Sequence, residues 1–182
     1  MDMPDEARRA AHGDAQSAAA AEHTGGRIEG WRDFAERLGA ALAMGKTEPV
    51  DWRLCDPDFT QWPMGGLAVV EALQQGMLAH RSTRWTLIAA QFDAFPRQHP
   101  RWLSWRQTWS HRVRCLQASE EDAAQLRPML LWPGRLGLRL QDGLSGRGVW
   151  SMDPATLHVW QSDFDVISQR TAEAMPSTTL GL

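Results

Sequence analysis

Two apolar stretches decide the fold of this chain: VDWRLC at residues 50–55 and RWTLIAAQF at residues 84–92. Both have the length and composition of a β-strand, and the second is a near-continuous apolar run, as expected of a strand covered on both faces. Between them, residues 66–80 carry an apolar stripe at helical spacing, from Leu67 to Met77. Strand, helix and strand in this order predict a β-α-β unit with two parallel strands in one sheet.

The chain on either side of this unit extends it. Helical periodicity predicts a helix from Ile28 to Leu42 and another from Pro100 to Ser110. Residues 112–117 are strand-like, and a short acidic helix is expected over 120–126. After Pro128 the helical period is lost. Four short strands are predicted there, at 129–132, 136–140, 148–152 and 156–160, followed by a closing helix at 164–174.

The predicted fold class is therefore α/β: a mixed, partly parallel sheet flanked by helices, with a β-rich C-terminal portion. One domain is expected over residues 27–174, since 182 residues favour a single domain with tails. Residues 1–26 are rich in Ala and polar side chains, which predicts a disordered or loosely helical tail. Residues 175–182 are predicted to form a second disordered tail.

Composition excludes several classes of protein. The net charge is -3, there are ten Trp and no Tyr, and Lys46 is the single lysine beside eighteen Arg. Cys55 and Cys115 are too few and too far apart for a disulfide framework, so they are expected to be buried free thiols in a reducing cytoplasm. No secretory signal or membrane-spanning apolar run is visible, and a cytoplasmic location is predicted.

Three carboxylates follow the strands of the predicted parallel sheet. Asp56 and Asp58 follow the first strand, and Asp93 follows the second. Ligands of α/β folds bind at the carboxyl ends of parallel strands, so these groups could hold Mg²⁺ or act in acid–base catalysis. The alternative is that all three are turn and cap residues, a role that Asp favours. No His or Cys spacing matches a metal site, so no metal and no cofactor is expected apart from Mg²⁺ in this alternative.

An Arg- and Trp-rich segment, residues 97–114, carries the other candidate site. Residues 81–147 hold eleven Arg against five acids, a net charge of +6. Arginine binds phosphate and tryptophan stacks on bases, but Trp102, Trp105 and Trp109 are spaced along one helix face, which is typical of a core stripe. The candidate ligand-binding residues of this basic region are Arg97, Arg101, Arg106, His111, Arg135 and Arg139.

Residues 54–117 also resemble a known group of proteins. The stretches LCDPDFTQWP (54–63), RWTLIAAQFD (84–93) and HPRWLSWRQTWSH (99–111) look like a group of uncharacterised bacterial proteins. Those proteins in turn resemble half of a phospholipase D-type domain. The resemblance implies a mixed sheet flanked by helices, with a further pair of strands behind it.

The catalytic signature of that family is His, any residue, Lys, four residues and Asp. Its His attacks phosphorus and its Lys binds the phosphate oxygens. Counting back from Asp142 places Arg135 at the His position and Gly137 at the Lys position, and no Lys follows Lys46. The resemblance therefore implies that the phosphotransfer chemistry has been lost.

Two functions from different classes follow. The first is a non-catalytic α/β binding domain, whose ligand is a protein partner or a phosphate-bearing molecule, with self-association and nucleic acid among the expected partners. The alternative is a Mg²⁺-dependent hydrolase or phosphotransferase that uses Asp56, Asp58 and Asp93. Contact with an anionic membrane surface is a third possibility, because Trp and Arg both suit that interface.

Overall fold

Strands and helices alternate along residues 24–175, the part of the chain that the computed structural model describes. The strands are β1 (Gly25–Glu29), β2 (Asp51–Asp56), β3 (Arg84–Ala89), β4 (Val113–Gln117), β5 (Met129–Trp132), β6 (Leu136–Asp142), β7 (Arg147–Ser151) and β8 (Ala172–Glu173). The helices are α1 (Trp31–Met44), α2 (Leu67–Ala79), α3 (Phe95–Gln98), α4 (Pro100–Trp109), α5 (Glu120–Ala123) and α6 (Pro154–Ser168), with a 3₁₀ turn at Ser110–Arg112.

All eight strands form one mixed sheet in the order β1-β7-β6-β5-β2-β3-β4-β8. The strands β2, β3 and β4 are parallel, with α2 connecting the first pair, and every other pairing is antiparallel. The predicted β-α-β unit and the α/β fold class in one domain are confirmed. The edge at which β2, β3 and β4 begin is named the amino edge below, and the opposite edge the carboxyl edge.

Helices cover the sheet on both faces, because alternate side chains of each strand point to opposite faces. On one face, Trp52 and Trp85 stack with ring centroids 5.2 Å apart. They pack in the core beneath α1, α2 and α4, and Trp102 and Trp105 of α4 are buried there, so the Trp stripe is a core stripe. On the other face, α6 packs on a smaller core that includes Cys55, Ile88, Leu116, Leu157 and Phe164.

The α6 face is apolar only toward the carboxyl edge. Ile88 of β3 lies in the core under α6, whereas Arg84, two pleats earlier on the same face, is exposed. The same change occurs in β4, where Leu116 is buried and Arg114 is exposed. The sequence predicted a strand covered on both faces at 84–92, but only its carboxyl half is. The amino half leaves polar side chains open to solvent.

Three sequence predictions of secondary structure are wrong. The closing helix expected at 164–174 starts earlier, at Pro154, and ends at Ser168, and Ala172–Glu173 forms β8. The helix expected from Ile28 begins at Trp31, because Gly25–Glu29 pairs with the distant strand β7. Residues 156–160, expected to be a strand, lie in α6. Asp153 caps this helix by accepting a hydrogen bond from the Thr156 amide (2.8 Å), and Pro154 occupies the first turn. The local helix signal was therefore stronger than the β-branched composition of this stretch.

The remaining predictions concern the termini, the thiols and the membrane. Most of the two predicted tails lies outside the described residues, and Gly25 and Gly26, which were assigned to the first tail, belong to β1. Cys55 and Cys115 are buried free thiols, as predicted, and burial raises the pKa of each to about 12. Within residues 24–175, no helix has both the length and the apolar character needed to cross a bilayer.

Candidate functional site

The carboxylate of Asp56 is occupied by the turn that follows β2. Its Oδ1 accepts hydrogen bonds from the amides of Asp58 (2.9 Å) and Phe59 (2.6 Å), and its Oδ2 accepts one from the Trp62 indole N–H (2.7 Å). Burial raises the pKa of Asp56, and these three donors oppose that shift. The bonds hold Phe59 at a φ of 57°, a left-handed conformation that a bulky residue seldom adopts. Asp56 thus has a structural role at the carboxyl edge.

The other two predicted carboxylates do not complete a metal site with it. Asp58 lines, with Asp56, a cleft of about 530 Å³ at the carboxyl edge, whereas Asp93 is exposed and is not among the residues that line this cleft. Asp142 stands in the cleft instead, and its carboxylate accepts hydrogen bonds from Leu144 and Ser145. Among residues 24–175, no group of three or more His, Cys, Asp or Glu side chains could hold a metal ion.

The predicted ligand-binding residues of the 97–114 segment are dispersed. Arg97 is exposed at the end of α3, and Arg101 donates a hydrogen bond to the Gly65 carbonyl (3.4 Å). Arg106 is buried and donates to the Met175 carbonyl. Only His111, which is exposed, lies in a cleft with other basic side chains.

Arg135 and Arg139 are both neutralised by acids. The Arg135 guanidinium pairs with Glu48 at 2.8 Å, and that of Arg139 pairs with Asp163 of α6 at 2.7 Å. A guanidinium whose charge is already offset by a carboxylate attracts phosphate less strongly than an unpaired one. Neither residue is therefore a ready anion site.

Gly137, which the count back from Asp142 assigned to the lysine position, is packed tightly against α6. A Cβ built on Gly137 would stand 2.6 Å from two ring atoms of Trp160 and 3.0 Å from a methyl group of Leu157. Both neighbours belong to α6, which packs directly on this part of β6. Gly137 is therefore required by close packing, and no side chain fits at this point without moving the helix.

A basic cleft of about 290 Å³ lies on the α6 face at the amino edge. It is lined by side chains of β2, β3, β4, the 3₁₀ turn and α6, and four of them are arginines: Arg53, Arg84, Arg112 and Arg114. In register, Thr86 of β3 lies opposite Arg114 of β4, so Arg84 and Arg114 are diagonal neighbours on the same face. Such neighbours are about 7 Å to 8 Å apart, within reach of one common anion for two long side chains.

The acids of the cleft are already engaged. Asp51 and Asp165 both pair with Arg53, at 3.2 Å and 2.6 Å. Arg84 and Arg114, in contrast, form no ion pair within the described part of the chain. The cleft therefore keeps two guanidinium groups free for an external anion.

Arg112 forms the wall of the cleft. Its Nη1 donates to the carbonyls of His80 (2.9 Å) and Arg81 (2.8 Å), its Nη2 donates to Met77 (2.9 Å), and its guanidinium lies 4.4 Å from the Trp109 ring centroid. Burial and the nearby Arg84 charge lower the pKa of Arg112. Arg112 thus ties the C-terminal end of α2 to the amino edge.

Sequence reasoning missed Arg84 and Arg114. A signal for them was present, since Arg84 and Thr86 alternate with Trp85 and Leu87 at the start of β3, and Arg114 alternates with Val113 and Cys115. Strand periodicity placed these polar side chains on one face. The sequence could not show that α6 stops short of them.

Comparison with known proteins concerns the fold. No protein-family model matches the sequence, and no curated protein matches it. Solved structures do match. TrmBL2, an archaeal chromatin protein whose structure shows a novel mode of DNA binding, superposes with a TM-score of 0.59 at 13% identity, over 93% of this chain and 64% of that one. The chain thus spans less than two thirds of TrmBL2.

Two smaller proteins match along most of their length. NucT from Helicobacter pylori has a TM-score of 0.56 at 9% identity, covering 82% of this chain and 98% of NucT. Nuc from Salmonella typhimurium, a phospholipase D family member, has a TM-score of 0.52 at 5% identity. The match covers 75% of this chain and 88% of Nuc. The fold is therefore similar to that of phospholipase D, as the sequence resemblance implied.

Proposed function

We propose that this chain is a non-catalytic binding domain built on a phospholipase D-like fold, and that its ligand carries phosphate. The observation that supports it is the basic cleft, in which Arg84 and Arg114 have no carboxylate partner while the acids beside them pair with Arg53. Guanidinium groups are well suited to phosphate because their fork of N–H donors matches its oxygens. TrmBL2, which has a similar fold, binds DNA, a phosphate-bearing polymer.

The loss of catalysis rests on the motif positions. Arg135 stands where the family has its nucleophilic His, and a guanidinium is not a nucleophile. Gly137 stands where the phosphate-binding Lys would be, and Trp160 fills the space above it. Only Asp142 keeps its residue type, and its carboxylate is used within its own turn.

Binding of inorganic pyrophosphate, measured by calorimetry at low ionic strength, tests the proposal. The double variant R84Q/R114Q is expected to bind at least about tenfold more weakly, since each charge-assisted contact contributes more than about 1 kcal/mol. The control R27Q/R147Q removes the same charge from exposed positions on β1 and β7 and is expected to bind like the wild type. Equal weakening of both variants, or no binding by the wild type, would contradict the proposal.

One observation favours a second candidate, a Mg²⁺-dependent hydrolase or phosphotransferase. Asp56 and Asp58 both line the larger cleft at the carboxyl edge, although Asp93 is outside it. Hydrolysis of bis(4-nitrophenyl) phosphate in millimolar Mg²⁺ distinguishes the two functions. Turnover that disappears in D58N would support the enzyme, and a wild type indistinguishable from buffer supports the binding domain.

Protein partners are the competing class of ligand. Self-association, which the sequence also predicted, would appear as a dimer in sedimentation equilibrium. If pyrophosphate does not dissociate the dimer, the dimer interface and the basic cleft are separate sites, and the proposal stands. A dimer that R84Q/R114Q abolishes would instead assign the cleft to protein contact.

A further inference from the structure

The unpaired cations of the amino edge extend beyond the basic cleft. Lys46 follows α1, Arg81 precedes β3, and Arg84 and Arg114 lie in the cleft. None of these four side chains forms an ion pair within residues 24–175. We name Lys46, Arg81, Arg84 and Arg114 the amino-edge stripe. Lys46 and Arg81 lie in the loops that precede β2 and β3, and Arg84 and Arg114 lie on the α6 face near the starts of β3 and β4, so the four charges are distributed over the starts of three neighbouring strands.

Contacts between the loops hold the stripe together. The His80 ring nitrogen Nε2 is 3.0 Å from the Lys46 carbonyl, which links the loop after α1 to the turn after α2. Arg112 donates to the carbonyls of His80 and Arg81 and so links the same turn to the start of β4. The stripe is therefore carried on connected, hydrogen-bonded loops.

The acids along this edge do not neutralise the stripe. Glu48 pairs with Arg135, and Asp51 and Asp165 pair with Arg53. The field along the stripe is positive although the whole chain has a net charge of -3. A group of unpaired cations is suited to a polyanion, whose neutralisation releases counterions and so gains free energy with each contact.

The aromatic residues indicate which kind of polyanion the stripe binds. Proteins that bind single strands stack bases on exposed aromatic side chains. Here all ten Trp and all five Phe lie in the described residues, and every one is buried or half-buried. Trp85, which lines the basic cleft, is buried, and Trp109 already has Arg112 on its ring and donates its indole N–H to Gln74. Bases therefore have no exposed aromatic platform to stack on here, which favours binding through the phosphate backbone.

We infer that the amino-edge stripe binds the phosphate backbone of duplex DNA, without sequence preference. This inference rests on the proposed function and names its ligand class. Contacts to phosphate position a protein but carry no sequence information. Four contacts predict a slope of log K against log salt concentration of about -3.6.

Fluorescence anisotropy with a labelled duplex of about 20 base pairs, long enough to offer several sites, tests the inference across a range of salt concentrations. R84Q/R114Q is expected to reduce the steepness of the salt slope by about two, because each neutralised contact contributes about one. R27Q/R147Q, which has the same net charge, is expected to keep the wild-type slope. Two unrelated duplex sequences are expected to bind equally.

Three results would overturn the inference. They are no duplex binding at low salt, an equal loss of slope in both double variants, and tighter binding to a single strand of the same length. The pyrophosphate titration separates this failure from failure of the proposed function. Pyrophosphate binding that depends on Arg84 and Arg114, without duplex binding, would leave a small phosphate ligand and exclude DNA.

Discussion

Trp160 of α6 lies directly against Gly137 of β6, with two of its ring atoms 2.6 Å from where a Cβ would stand. The contact joins the helix that covers the second core to the strand in which the sequence resemblance expects a lysine at residue 137. In this chain, the space that a lysine would need is part of the hydrophobic core. Placing a lysine at residue 137 would therefore require repacking α6 as well as changing one residue.

Gly137→Ala is accordingly expected to lower the free energy of unfolding by about 1 kcal/mol to 3 kcal/mol, the usual cost of overpacking a core. Gly137→Lys is expected to cost more, because the charge would also be buried without a partner. Urea denaturation measures the free energy of unfolding of both variants.

Gly39→Ala is the matched control. Gly39 is exposed in α1 with nothing within 4 Å of an added Cβ, so stability is expected to rise by about 0.5 kcal/mol to 1 kcal/mol. A neutral Gly137→Ala would show that α6 is not tightly packed on β6.

Arg112→Lys tests how the basic cleft is positioned. A lysine keeps the charge but cannot donate to the carbonyls of Met77, His80 and Arg81 together, so we expect a loss of about 2 kcal/mol in urea denaturation. Arg114→Lys serves as the control, since Arg114 is exposed, and its stability should stay within about 0.5 kcal/mol of the wild type. Equal stability of the two variants would mean that the three carbonyl contacts contribute nothing.

The N-terminal cap of α6 predicts a dependence of stability on pH. Hydrogen bonds from the Thr156 hydroxyl (2.7 Å) and amide (2.8 Å) lower the pKa of Asp153 below its ordinary value of 3.8. A depressed folded-state pKa gives a stabilisation that is present above the unfolded pKa and is lost as pH falls through the folded one. Asp153→Asn keeps a capping side chain without the charge. Its melting temperature is expected to lie a few degrees below that of the wild type at neutral pH.

The difference between wild type and Asp153→Asn should begin to close as pH falls below about 4, the unfolded-state pKa, and should vanish once pH has passed below the lowered pKa of the folded carboxylate. Thermal melts followed by circular dichroism from neutral pH downward measure it. A gap that stays constant with pH would show that the charge of Asp153 does not stabilise α6, and that the cap acts through hydrogen bonding alone.

Local sequence patterns predicted most helices and strands correctly when the formation of those elements did not depend on residues far away in the chain. The apolar stripe from Leu67 to Met77 predicted α2, and the Trp spacing predicted a buried face for α4. The strand Gly25–Glu29 was missed because its hydrogen bonds are made to β7, more than a hundred residues away. Residues 156–160 were misassigned because a short stretch of mixed apolar residues has no decisive period, and the cap at Asp153 decides its state.

The same distinction between local and distant interactions applies to the candidate site. The excess of arginine after residue 81 and the absence of any lysine after Lys46 are properties of the sequence. Which arginines are free is a property of pairing in space. Arg135 and Arg139, which the sequence favoured, meet Glu48 and Asp163, partners that lie 87 and 24 residues away. No local pattern encodes such pairs.

The sequence by itself thus determined the parallel β-α-β unit and the core-facing Trp stripe of α4, because strand and helix periods are local consequences of backbone geometry. It also established the absence of a second lysine. Only the tertiary structure decided that Asp56 serves its own turn, that Trp160 occupies the space over Gly137, and that Arg84 and Arg114 have no acid beside them. These facts depend on where α6 ends on the sheet and on which side chains meet across it. Packing and ion pairing between distant segments therefore decide which of the many arginines form the basic cleft.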